Sequence, residues 1–122
     1  MGYIKHFAIL VRGSIKDNDK YNIDRARNMA LSIFQKYSNE SLISPVIASL
    51  VNGDGTFAIM PDGGKRGWNT ADDADSARRE FLKFLRNEKD CFDWCEVMFG
   101  GDDSVESTIV AHSGSEFVME IE

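Results

Sequence analysis

Hydrophobic positions alternate between two periods along this chain. Residues 3–12 centre on Phe7 to Val11, apolar on both faces of a strand, which predicts an interior β-strand. Residues 13–21 are polar and read as a loop. Ile23, Ala26, Ala30, Ile33, Phe34 and Tyr37 then recur at steps of three and four, predicting an amphipathic helix over 22–37. Asn22 suits its N-cap and Asp24 its first turn. Residues 45–51 and 56–60 read as strands joined by Asn52-Gly53-Asp54-Gly55, residue types that tolerate the positive φ of a tight hairpin. A Gly-rich loop follows over 61–70. A second helix is predicted over 72–88, burying Ala74, Ala77, Phe81, Phe84 and Leu85. Its acidic start (Asp72, Asp73, Asp75) and basic end (Lys83, Arg86, Lys89) match the helix dipole. Residues 93–99 and 106–112 read as strands around a turn at 100–103. Residues 116–122 alternate, with Phe117, Met119 and Ile121 on one face and Glu116, Val118, Glu120 and Glu122 on the other.

The order β-α-β-β-α-β-β implies an α+β fold, a two-layer sandwich with the two helices on one face of a mainly antiparallel sheet. Its first six elements have the order of the ferredoxin-like split βαβ motif, with extra C-terminal strand material. One domain over 1–122 is expected, with 115–122 as an edge strand or a mobile tail.

Composition narrows the function. The chain has 122 residues, 43% hydrophobic and 28% charged, which fits a single folded domain. Fourteen Lys and Arg stand against twenty Asp and Glu, for a net charge of −6. That balance disfavours general nucleic-acid binding, which needs a basic surface. The charge is uneven: +2 over 1–60, zero over 61–90 and −8 over 91–122, where no Lys or Arg occurs. No apolar run approaches the ~18–20 residues of a membrane span, and the start lacks a secretory pattern. Cys91 and Cys95 are too few for a disulfide framework and are not spaced as a redox motif. A cytoplasmic protein with no membrane partner is expected.

Several short stretches occur in a collinear order. They are residues 2–9 (Gly-Tyr-Ile-Lys-His-Phe-Ala-Ile), Ser44-Pro45-Val46-Ile47, Asn52-Gly53, Pro61-Asp62-Gly63, Gly67-Trp68, Asp93-Trp94, Gly101-Asp102-Asp103 and Ala111-His112-Ser113. Across about residues 2–114 this pattern resembles a family of small uncharacterised proteins of tailed bacteriophages. The family carries two consecutive histidines near its start; here Phe7 stands in the second place. The resemblance implies a phage accessory protein in the cytoplasm of an infected bacterium, and it implies no activity.

The residues suggest three chemistries. In the Gly-rich loop, Gly63 and Gly64 free the backbone to approach an anion. Lys65 and Arg66 add charge, and Trp68 offers a face on which a base can stack. With Tyr3 or His6 as neighbours, this reads as a site for a nucleotide-like ligand, needing no cofactor and completed by homo-oligomerisation if one copy is insufficient. It is not a P-loop, and Asp62, Asp72, Asp73 and Asp75 oppose an anion there. The competing reading is a solvated turn with Trp68 packed as an anchor. Second, the acidic C-terminal hairpin, with Glu116, Phe117, Met119 and Glu120, reads as the surface of a protein-binding inhibitor of a host enzyme; its plainer reading is a soluble edge strand. Third, His6 and His112 are the candidates for acid–base phosphodiester cleavage, without the His-x-Ser/Thr repeat of paired-histidine phosphoesterases. No metal site is expected, because Cys91, Cys95 and His112 lack a four-ligand spacing. The leading expectation is a non-enzymatic antagonist of host defence that sequesters a nucleotide-like molecule.

Overall fold

Nine residues of extended chain, His6–Ser14 (β1), form the axis of the fold. In this computed structural model the described residues are 5–17, 19–64, 68–88, 90–100 and 107–114. After β1 come α1 (Ile23–Gln35), a 3₁₀ turn (Glu40–Leu42), β2 (Ile47–Ala48), β3 (Asp54–Ile59), α2 (Asn69–Asn87), β4 (Asp93–Phe99) and β5 (Thr108–His112). The strands make one five-stranded sheet in the order β2-β3-β1-β4-β5. Every neighbouring pair is antiparallel. The fold is α+β, with two helices against an antiparallel sheet.

The register decides which side chains are buried. Val11 is opposite both Phe57 and Trp94, and Ile9 is opposite Ile59, so these five share one face. That face meets the helices: Ile23, Ala26, Ala30, Ile33 and Phe34 of α1 join Ala77, Phe81, Leu82 and Leu85 of α2 in a single core. Phe81 is fully buried, its ring centroid 6.2 Å from that of Phe57. The two helices are also tied side by side. Lys36 Nζ and Tyr37 Oη, just past α1, donate to the Glu80 carboxylate of α2 at 2.6 and 2.7 Å.

Local chemistry sets the element ends. Asn22 caps α1 by accepting from the Asp24 N–H at 2.8 Å, and the helix ends two residues before the expected Tyr37. Helix α2 begins three residues before Asp72, because the Trp68 carbonyl already accepts from the Asp72 N–H at 3.0 Å. Asn52 and Gly53 take consecutive positive φ values of 76° and 65°, as the hairpin signal requires. Strand β2 is only two residues long, shorter than the expected 45–51. Pro45 has no N–H to give a ladder, and Leu50 and Val51 turn outward, Leu50 fully exposed.

Strand β1 is interior, flanked by β3 and β4. Its apolar second face, however, is not covered by a helix: Leu10 is 43% exposed. Both helices are spent on the face of Ile9 and Val11.

Burial separates positions that look alike in sequence. Phe81→Ala is expected to cost about 3–5 kcal/mol through lost burial and a residual cavity. Leu50→Ala is expected to stay within about 0.5 kcal/mol. Urea denaturation of the two variants checks the contrast.

Candidate functional site

Strand β3 ends at Ile59, opposite Ile9 of β1, so the chain leaves the sheet at the end where β1 begins. The same end holds His6, whose register partner is Phe99 at the close of β4, and the start of α2. The Gly-rich loop therefore starts from the end of the sheet that holds His6 and leads into the N-terminus of α2.

The first part of this loop is held by a buried arginine. The Asp62 carboxylate accepts from the Gly64 N–H at 2.9 Å and from Arg78 Nη1 at 3.4 Å. Arg78, on α2, is 3% exposed. It also pairs with Asp75, lies 3.9 Å from the Glu96 carboxylate and sits over the Phe7 ring at 5.3 Å. One guanidinium thus joins the loop, α2, β4 and β1. Burial pushes the Glu96 carboxyl above the usual carboxylate range, against the opposing pull of Arg78 and Arg86.

This arrangement alters the charge of the loop region. Of the four aspartates that oppose an anion by sequence, Asp62 and Asp75 share the single positive charge of Arg78, which offsets one of their two negative charges. Asp72 and Asp73 are solvent-exposed, where their field is screened. Arg78 was not singled out by sequence. The signal was its position: four residues after Ala74 and three before Phe81, a charged residue within the apolar stripe.

The remaining loop residues divide. Gly63 has φ +80°, and a Cβ there would meet nothing within 4 Å, so its backbone conformation and not crowding favours glycine. Gly64 is buried. Trp68 occupies the N-cap of α2 and is 55% exposed. Lys65, Arg66 and Tyr3 lie outside the described residues, as do Glu116, Phe117, Met119 and Glu120.

The two histidines share the helix-free face of the sheet but not one site. His6 is packed against Phe99, ring centroids 5.7 Å apart, beside Gly100. His112 is opposite Cys95, which is opposite Leu10. That places the histidines four residues apart along the strands and two strands apart across them, roughly 16 Å from strand spacings. Groups acting together on one phosphate must both reach it within hydrogen-bond range. His112 Nδ1 is 2.8 Å from the Ser113 carbonyl oxygen. A carbonyl only accepts, so a neutral His112 carries its proton on Nδ1 and presents a lone pair at Nε2.

A cleft of about 820 Å³ lies on this face, lined by Leu10, Arg12, Thr56, Cys95, Ile109 and His112 among others. Sequence reasoning did not find it, because it is assembled from four strands. Among the described residues, no three His, Cys, Asp or Glu side chains converge as a metal site.

Two measurements probe the Arg78 cluster. Arg78→Met, which strands buried carboxylates, is expected to destabilise by about 3–5 kcal/mol in urea unfolding. Glu96 carries its proton more tightly folded than unfolded. Its contribution therefore favours folding below the usual carboxylate range and is lost as pH rises through the raised value. In Glu96→Gln, the stability gained between about pH 4 and pH 7 should exceed the wild-type gain; an equal gain would remove Glu96 from the account.

Function rests on these residues alone: no protein-family model matches the chain, and no curated protein matches it.

Proposed function

We propose that this chain is a bacteriophage accessory protein that acts by binding a nucleotide-like small molecule, sequestering a host signal in the cytoplasm of the infected bacterium. The observation that carries the reading is Trp68. The residue is 55% exposed at the N-cap of a 19-residue helix, directly after a glycine-rich loop. An aromatic face beside a helix N-terminus combines a stacking platform with backbone donors for phosphate. Arg78 supports the reading by offsetting one of the two negative charges of Asp62 and Asp75. In this reading Lys65 and Arg66 contact the phosphate, the backbone at Gly63 and Gly64 approaches it, and Tyr3 and His6 flank the base.

The fold we propose in finer detail is the ferredoxin-like split βαβ, with β5 added beyond β4. The order β2-β3-β1-β4 supports it, because β3 lies between the two strands that α1 connects. The phage assignment rests on the resemblance over about residues 2–114. Binding in place of turnover agrees with the separation of His6 and His112 on the sheet.

A thermal-shift screen with mono-, di- and cyclic nucleotides tests the function. At a hundredfold excess over its dissociation constant a bound nucleotide should add about 2.7 kcal/mol of stability. Trp68→Ala should then weaken binding about tenfold or more, since stacking is worth about 1–3 kcal/mol per base. No stabilisation by any nucleotide would overturn the proposal.

A further inference from the structure

The cleft of about 820 Å³ on the helix-free face has a charged end and an apolar floor, and the strand register accounts for both. Thr56, Arg12 and Asp93 form one row across β3, β1 and β4, since Arg12 is opposite each of the other two. Leu10 and Cys95 form the next row, two residues along β1 and β4. Ile109, opposite Val97, lies beyond them on β5. All six of these side chains line the cleft.

The charged row does not neutralise itself. Residues directly opposite on antiparallel strands have Cβ atoms about 4.5–5.5 Å apart, close enough for an ion pair. Arg12 instead turns toward β3 and donates through Nη2 to the Asp54 carboxylate. Its side chain stays half-exposed, and its Nε and Nη1 donate to no group among the described residues. Asp93 is exposed and, among the described residues, has no ion pair or hydrogen bond. The Thr56 hydroxyl is likewise unengaged among them. A guanidinium with open donors and an unpaired carboxylate thus share one end of a cleft. A purely anionic ligand would meet Asp93 there, and a purely cationic one would meet Arg12. A ligand that carries both charges satisfies both groups.

We propose that this cleft binds a free amino acid with a large apolar side chain. Its carboxylate accepts from the open donors of Arg12 and from the Thr56 hydroxyl, and its ammonium donates to Asp93. Its side chain runs along Leu10 and Cys95 toward Ile109. Two residues along a strand span about 7 Å, the reach of a leucine, methionine or phenylalanine side chain. The cleft volume lies in the range of small-molecule sites. Both charges on a single Cα select a free amino acid over a peptide, whose two ends carry one charge each. Arg12 is six residues along β1 from His6, about 20 Å of extended chain. The site is therefore separate from the loop before α2 and independent of the nucleotide reading.

The test titrates the full chain, labelled with ¹³C at Ile and Leu methyls, with L-leucine, L-methionine and L-phenylalanine. Saturable shifts are expected at the Leu10 and Ile109 methyls. The methyl ester and the N-acetyl derivative of the tightest binder each lack one charge and should bind about tenfold more weakly or worse. L-Alanine should also bind several-fold more weakly, since it leaves the floor uncovered. These comparisons leave the protein unaltered, so they do not depend on any variant folding. Asp93→Asn, at an exposed position, should fold as wild type does and lose affinity by a similar tenfold. No saturable shift with any of the three amino acids at millimolar concentration would overturn the proposal. Equal binding of the ester or the N-acetyl derivative, or undiminished binding by Asp93→Asn, would do the same. Nucleotide binding is read separately by thermal shift, so failure of one proposal is distinguishable from failure of the other.

Discussion

A strand turns alternate side chains to opposite faces, and two helices cover only one of them. The organisation of this protein follows from that constraint. The register fixes Ile9, Val11, Phe57, Ile59 and Trp94 on the covered face, and α1 and α2 bring their apolar stripes to it. Leu10, Thr56, Cys95 and His112 are directed to the other face by the same alternation. The core and the cleft are thus two consequences of one pairing scheme.

Arg78 adds a second organising contact. A buried guanidinium is costly to desolvate, and it is retained here with carboxylates from three different segments: Asp62 before α2, Asp75 within it and Glu96 on β4. A pair of this kind is weak evidence for net stability. Its clearer effect is positional, since it fixes where the Gly-rich loop leaves the sheet. Its one positive charge also offsets part of the negative charge of Asp62 and Asp75. The surroundings of the exposed Trp68 are then less acidic than the sequence suggests.

Much of the fold was legible in the sequence because its signals are local. The stripe at Ile23, Ala26, Ala30, Ile33 and Phe34 needs only the helical period. The Asn52-Gly53 turn needs only the φ preferences of two residues. Even the glycines of the candidate loop announce themselves. Boundaries were less legible: α2 starts at Asn69 because the Trp68 carbonyl finds the Asp72 N–H, a bond that no residue type there advertises. Strand β2 shrank to two residues because Leu50 and Val51 form the turn despite being aliphatic.

The sequence by itself determined the elements, the hairpin turn and the uneven charge, since each depends on neighbours within a few residues. Tertiary structure alone decided that Arg78 is buried among Asp62, Asp75 and Glu96, which lie up to 34 positions apart. It alone decided that His6 and His112 are far apart on the sheet, and that Leu10 lines a cleft instead of a core. These outcomes depend on strand order and register, which arise from the joint packing of distant segments and are written in no local stretch of the chain.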